Sequence, residues 1–280
     1  MSTRINHNIL SMTAQRAIYN AQNALDTALT RLSTGLRINN SWDDVPGLTI
    51  SEKLRAQIAS MEEAEKNTQN AINMFGIAEA AMSVIDEKLI RMRALAVEAS
   101  IGTLTSSDRA SINYEFQQLK SEVDRIARIT NYNGLYLLNG AFSGSGTNGI
   151  KLHIGTHNIQ NQDYYHVSLG NMTASALGIL DLDLLTTVNS QSAIDSLDVA
   201  IDSKDNERTR IGSYVSRLQN TIVNLQYQQE NAVATESQIR DADIATEMSN
   251  FLRSQIQFQS AIAMLSQANQ VPQMVAQLIG

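Results

Sequence analysis

The sequence has no cysteine, only two prolines and few aromatic residues, which make up 5% of its 280 residues. Without thiols, the chain can form neither disulfide bonds nor thiolate metal sites. The scarcity of proline and aromatic residues favours long helices over a β-sandwich or barrel. Basic runs are also missing, and the net charge of −7 argues against a nucleic-acid partner. Residues 1–10 lack the apolar core of a secretory signal, so we expect any export to use another route.

The C-terminal stretch 254–280 contains no charged side chain, and glutamines interrupt every apolar run, so we expect no membrane insertion. Upstream and within it, residues recur in alternating steps of four and three, which is the spacing of a coiled-coil seam. These residues are Ile244, Met248, Phe251, Gln255, Phe258, Ile262 and Leu265. A lone helix of this kind exposes a long apolar stripe, so we predict that other helices cover it.

A second weakly charged heptad pattern lies near the N-terminus, through Ile18, Ala21, Leu25, Ala28 and Leu32. Because the two patterns lie at opposite ends of the chain, we predict that their helices pair with each other. The alternative is an amphipathic helix that lies on a globular core.

Residues 35–46 interrupt the helical pattern. The helix breakers in this stretch are Gly35, Asn39, Asn40 and Pro46, and Val45 is biased away from the helical region by the proline after it. We predict a non-helical joint, with Asp43 and Asp44 at the positive end of the next helix dipole. Paired aspartates also occur in metal sites and acid catalysis, but no His or Glu lies nearby in the sequence.

Three further helical stretches are predicted beyond the joint. The first runs from about Gly47 to Ser100, roughly 80 Å at 1.5 Å per residue. Its apolar seam, in alternating steps of four and three, consists of Ala71, Phe75, Ala78, Met82, Ile85, Leu89, Met92, Ala96 and Ala99. Gly102 ends it, and Thr105 with Asp108 forms a capping-box pattern that opens a second helix, so we expect an antiparallel hairpin. A third helical pattern begins at Gln191 and continues to the uncharged C-terminal stretch, with apolar positions at Ile194, Leu197 and Ile201 and then at Ile211, Val215, Leu218, Ile222 and Leu225.

Alternating apolar residues at about 150–170 predict a β-hairpin before that third helix. His153 and His157 lie four apart there without a third ligand, so solvent-facing positions are favoured over a zinc site. The fold class is therefore mainly α: a long α-helical coiled-coil rod with paired terminal helices and a small β-hairpin. We divide it into an N-terminal helix (1–34), a joint (35–46), a helical rod domain (47–240) and a C-terminal helix (241–280). No phosphate loop or catalytic triad pattern is present, so we expect no enzyme, cofactor or metal site.

Three stretches, in family order, resemble bacterial flagellins: RLSTGLRINNSWDDVPG at 31–47, ESQIRDADIA at 236–245 and LSQANQVPQ at 265–273. The resemblance covers nearly the whole chain. Val45 and Pro46 stand where flagellins commonly have two alanines, and Trp42 is also unusual. Only about twenty residues separate the second strand from the returning helix, fewer than the ~50 of an independent domain, so we expect a short flagellin without outer variable domains.

The resemblance implies a structural subunit that self-assembles into the extracellular flagellar filament for swimming and is exported through the flagellar type III channel. It implies as partners further copies of the chain, an export chaperone, and the hook-associated junction and cap proteins. It places Ile18, Leu25, Leu32, Phe251, Phe258, Ile262 and Leu265 in the assembled inner core. The alternatives are a hook–filament junction protein, or a filament-embedded enzyme that would need a metallopeptidase motif this sequence lacks.

The resemblance also implies a patch for a host Toll-like receptor at Arg91, Leu95 and Glu115. Arg91 and Leu95 are four apart and share a helix face, and the hairpin could bring Glu115 alongside. The alternative is that Arg91 pairs with Glu87 and Leu95 packs into a groove. We favour assembly as the primary role of this patch.

Overall fold

The computed structural model describes residues 7–144 and 149–279, with side chains to residue 274, and the chain divides into two compact units. The first unit comprises the residues up to 57 and those from 231, and the second comprises 58–230. Across the described residues lie α1 (Ile9–Thr34), α2 (Val45–Ala99), α3 (Ser106–Ile129), β1 (Asn131–Tyr132), β2 (Leu135–Tyr136), β3 (Ile150–His153), β4 (Tyr164–Val167), α4 (Thr187–Arg240) and α5 (Ile244–Ile279).

The predicted fold class is confirmed: the chain is mainly helical, its terminal helices pair, and it carries small β-hairpins. The division into four segments at 34, 46 and 240 remains a prediction. The two compact units divide the chain elsewhere, after residues 57 and 230. Within that division, residues 1–6 and 280 lie outside the described residues.

In the first unit, α1 and α5 pack against each other in antiparallel directions. The Asn8 side chain donates a hydrogen bond to the Ala268 carbonyl at 2.9 Å, and Arg31 pairs with Glu247 at 3.0 Å. Asn8 also caps α1, because its side-chain oxygen accepts from the Ser11 N–H. Gly35 ends α1 with φ of 71°, a left-handed conformation that glycine adopts without steric cost.

In the second unit, the predicted seam of α2 forms the core. All nine of its positions are buried: Ala71, Phe75, Ala78, Met82, Ile85, Leu89, Met92, Ala96 and Ala99. The antiparallel partner is α4, as the contacts of Glu79 with Arg208 and of Glu65 with Gln226 show. This burial removes a continuous apolar stripe from water, which is the main favourable term in folding.

The turn between α2 and α3 is built as predicted. Thr105 and Asp108 form a full capping box at the start of α3. The Arg109 guanidinium donates to the carbonyls of Ala99, Ile101 and Leu104, which satisfies acceptors that the end of α2 leaves without helical partners.

Two charged residues occupy core positions of α4, where the sequence pattern skips from Ile201 to Ile211. Lys204 is only 1% exposed and pairs with Asp86 and, at 2.7 Å, with Asp205. Glu207 accepts from the Gly170 N–H and from Arg210, both at 2.8 Å. Both buried charges are therefore compensated, as a low-dielectric interior requires.

The hairpin predicted at about 150–170 is confirmed as β3 and β4, which pair antiparallel with Ile150 opposite Val167. A smaller hairpin, β1 with β2, surrounds the Asn133–Gly134 turn, where both residues have positive φ. This smaller hairpin was not predicted, although Asn-Gly is a strong hairpin signal.

Candidate functional site

Most of the fully buried positions between α1 and α5 are small residues. Ala14, Ala21 and Ala28 of α1 are buried, whereas the larger Ile18, Leu25 and Leu32 are only half-buried. On α5, the buried and half-buried residues include Glu247, Phe251, Ser254, Phe258, Ala261, Leu265 and Ala268. Alanine permits close approach of the two helices, and the larger apolar side chains of the seam stay half-buried.

Only part of the predicted seam of α5 lies in the contact with α1. Phe251, Phe258 and Leu265 belong to the seam, but Ile244, Met248, Gln255 and Ile262 are exposed. Ile262 is 47% exposed. The two sets lie on adjacent stripes of the helix, and the predicted set has the larger side chains. The spacing of Ser254, Ala261 and Ala268 by seven is the sequence signal for the internal stripe.

The outer faces of this helix pair expose large apolar side chains. On α5 they are Ile244, Met248, Leu252, Ile256, Ile262, Met264 and Met274, and on α1 they include Ile9, Leu10, Met12, Tyr19 and Leu29. A groove of about 370 Å³ runs between the helices, lined in part by Leu10, Ala14, Ala261 and Met264. Contiguous exposed apolar surface of this kind marks an interaction site.

Backbone hydrogen bonds connect the joint to residues 240–242, at the junction of α4 and α5. The Ala242 N–H donates to the Gly35 carbonyl at 2.9 Å, and the Arg37 N–H donates to the Arg240 carbonyl at 2.7 Å. The Arg37 guanidinium adds two hydrogen bonds to the Ile239 carbonyl. The joint therefore has a defined conformation, although residues 35–44 contain no regular helix.

The two joint aspartates have separate roles. Asp43 accepts from the N–H groups of Asn40 and Asn39 at 2.9 and 3.0 Å. These hydrogen bonds, Asn40 first, hold the pKa of Asp43 below its ordinary value. The carboxylate thus stabilises the joint above its unfolded-state pKa, and this contribution is lost as pH falls through the lowered pKa. The side chain of Asn39 closes the turn by donating to the Leu36 carbonyl.

Asp44 caps α2, because its Oδ1 accepts from the Gly47 N–H at 2.9 Å. The helix begins at Val45, two residues before the predicted start at Gly47. The reason is that proline fits the first helical turn, where its missing N–H needs no partner. Trp42, beside this cap, is 79% exposed.

The structure brings Arg91 and Glu115 together but removes Leu95 from the surface. Arg91 pairs with Glu115 at 2.8 Å across the α2–α3 hairpin, and not with Glu87. Leu95 is 1% exposed and lies in the core, so its assignment to an accessible patch is wrong. Residues four apart share a helix face only approximately, and the core reaches Leu95 at its edge.

Over the part of the chain that the structure describes, no group of three or more His, Asp or Glu residues is arranged to hold a metal ion. Over the same part, no helix is both long enough and apolar enough to cross a bilayer. His153 instead meets the edge of Tyr164, and the His157 ring lies 2.9 Å from the Thr156 hydroxyl.

Comparison with known proteins identifies the class to which these paired terminal helices with exposed apolar faces belong. Residues 5–143 match the family described as bacterial flagellin N-terminal helical region, and residues 194–279 match the bacterial flagellin C-terminal helical region. Flagellin FlaB2 of Treponema pallidum is 39% identical over 98% of this chain and 99% of its own. The flagellin of Halalkalibacterium halodurans is likewise 39% identical, with the same coverage.

The chain therefore belongs to the bacterial flagellin family. It is a structural subunit of the extracellular flagellar filament and not an enzyme. A putative flagellar hook-associated protein from Vibrio parahaemolyticus superposes with a TM-score of 0.57 over 71% of this chain and 100% of its own. At 13% identity this likeness shows a shared fold alone, and the hook-associated alternative is not favoured.

Proposed function

We propose that the subunit polymerises through the outer faces of its terminal helix pair. The observation that carries this proposal is the row of exposed apolar side chains on α5, together with the absence of charge in 254–280. In this arrangement Ile18, Leu25, Leu32, Phe251, Phe258 and Leu265 become fully buried by neighbouring copies. Ile262 contacts a neighbouring copy directly. Each large apolar side chain buried in this way contributes roughly 1.5–3 kcal/mol.

The joint supports the same role. Gly35, Asn39, Asp43, Asp44 and Pro46 define how the chain passes from α1 to α2, and Arg37 connects that path to the segment that leads into α5. We propose that the joint keeps the two terminal helices in one arrangement in every copy, because a helical polymer requires equivalent contacts between successive subunits.

Truncation after Arg253 tests the proposal. The shortened chain should stay monomeric at concentrations at which the full chain forms filaments, as measured by sedimentation and negative-stain microscopy. Ile262→Lys should act in the same direction and raise the critical concentration at least roughly a hundredfold, because it buries an unpaired charge. Ile159→Lys is the matched control, since Ile159 is similarly exposed but lies in the β3–β4 loop. Normal filaments from the truncated chain would contradict the proposal.

We further propose the remaining partners of the subunit. Its exposed terminal faces suit an export chaperone before polymerisation, since uncovered apolar surface is an aggregation hazard. A homopolymer leaves one uncovered interface at each end, which suits the hook-associated junction and cap proteins. Binding of each to the full chain but not to the chain truncated after Arg253 is the expected result in a pull-down experiment.

For the host Toll-like receptor, support is reduced to the half-exposed Arg91–Glu115 pair. A monomer that carries Arg91→Ala should activate the receptor less than the parent monomer does. An unchanged response would remove Arg91 from the patch.

A further inference from the structure

Two glycines lie in the middle of the long helices of the second unit, at nearly the same level. Gly76 is in α2 and Gly212 is in the antiparallel α4. Glycine is among the least favourable residues in a helix interior. Neither residue has a positive φ, so neither is needed for a turn or a cap.

Packing inside the subunit does not explain these glycines either. A Cβ placed on Gly76 or on Gly212 would meet no side chain or neighbouring backbone of the described residues within 4 Å. Alanine would therefore fit both positions in the isolated subunit and would favour the helix more. These glycines lower helix stability, and neither a turn, a cap nor packing within the subunit requires them. We therefore look for a contact outside the subunit that requires them.

Both glycines line one groove between α2 and α4, with a volume of about 660 Å³. Its apolar lining includes Ile72, Phe75 and Val215. The absence of side chains at the two glycines widens the groove at its middle and exposes helix backbone to close approach.

The charged groups along the groove already have partners. Glu79 pairs with Arg208 at 2.6 Å, and Asp205 pairs with Lys204 at 2.7 Å. The groove therefore offers no unpaired charge to a charged ligand, and its remaining polar lining consists of Thr209, Ser216 and Gln219. An uncharged, mainly apolar occupant fits this lining best.

We propose that this groove receives apolar side chains from a second copy of the chain in the filament. The inference rests on the polymerisation proposed above, and it adds a contact surface in the second unit to that of the terminal helices. The same unit exposes side chains of the required kind, among them Tyr114, Val188 and Val199. A helical polymer pairs different patches of successive copies, so a concave groove on one copy meets a convex patch on the next.

The test uses the full chain with Gly76→Ala, Gly212→Ala and both together. Each replacement should raise the melting temperature of the monomer by about 2–4 °C, because alanine favours the helix. Each should also raise the critical concentration for polymerisation, roughly tenfold, because the added methyl group overfills the contact. Ser203→Ala on α4 is the matched control, since Ser203 is exposed and does not line the groove. It should change the critical concentration little.

A second measurement reports the groove directly. The chain has no cysteine, so Thr209→Cys places a single thiol on the groove wall. A maleimide should label it in the monomer and much more slowly in the filament, whereas Ser203→Cys provides the comparison. Alanine variants that polymerise like the parent would overturn the proposal, as would a Thr209→Cys thiol that reacts equally in both states. A fall in monomer melting temperature would also overturn it, because the glycines would then serve the isolated fold. None of these outcomes affects the truncation test of the terminal helices.

Discussion

Within each of the two units, the helices pack through a different kind of seam. In the second unit, large side chains such as Phe75, Met82, Leu89 and Phe116 are fully buried. In the first unit, the buried positions of α1 are alanines, and Leu25 and its large neighbours are half-exposed. The second unit thus contains a complete core of its own. The first leaves much of its apolar surface exposed, which supports the proposed polymerisation through this surface.

The largest expected change in stability comes from replacing leucine by alanine in the seam of each unit. Leu89→Ala should lower the free energy of unfolding of the monomer by about 2–5 kcal/mol, because it leaves a cavity in a closed core. Leu25→Ala should cost about 1 kcal/mol, since the side chain is already partly exposed to water. Urea denaturation followed by circular dichroism measures both.

Polymerisation should rank the two variants in the opposite order. Leu25→Ala should raise the critical concentration more than Leu89→Ala does, provided that the Leu89→Ala monomer remains folded. Equal losses of monomer stability would mean that the α1–α5 seam is as complete a core as that of the second unit.

The next largest change in stability is expected from replacing Lys204, a buried charge in the second unit. Lys204→Ala should cost about 3 kcal/mol of stability, because it leaves Asp86 with only the longer contact to Arg208, at 3.9 Å, and opens a cavity. The paired replacement Lys204→Met with Asp86→Leu should recover most of the loss, since apolar residues often replace buried ion pairs at little cost. Lys66→Ala, which removes an exposed pair with Glu63, should change stability by less than about 1 kcal/mol. If the paired replacement is no better than Lys204→Ala, the ion pair stabilises the core in its own right.

The same comparison explains what could be predicted from the sequence. The seam of α2 was predicted at every position, because its large apolar residues repeat regularly and all face one core. The helix of α4 was also predicted, but not that Lys204 and Glu207 occupy core positions. A hydrophobicity pattern does not show that a charged residue is buried when its partner comes from a distant part of the chain. Lys204 pairs with Asp86, and Glu207 accepts from the Gly170 N–H.

For α5, the sequence did not determine which stripe of the helix makes the contact with α1. Both Ile262 and Ala261 lie on stripes with heptad spacing, and the sequence does not distinguish a contact within the subunit from a contact between subunits. The structure assigns the alanine stripe to the internal contact. Leu95 was misplaced for a related reason, because its four-residue spacing from Arg91 does not fix how far the core extends around the helix.

The smallest effects concern the joint. Asp44→Ala should cost about 1 kcal/mol, because the Gly47 N–H loses its acceptor at the start of α2, whereas Asp44→Asn should cost little, since asparagine caps equally well. Pro46→Ala should cost only about 0.5 kcal/mol, through greater freedom of the unfolded chain, because proline already fits the first helical turn. We expect this variant to form filaments with altered thermal melting or waveform, which calorimetry and microscopy measure. If Asp44→Asn weakens the protein as much as Asp44→Ala, the carboxylate acts through its charge, including the pair with Arg37 at 3.5 Å, and not as a helix cap.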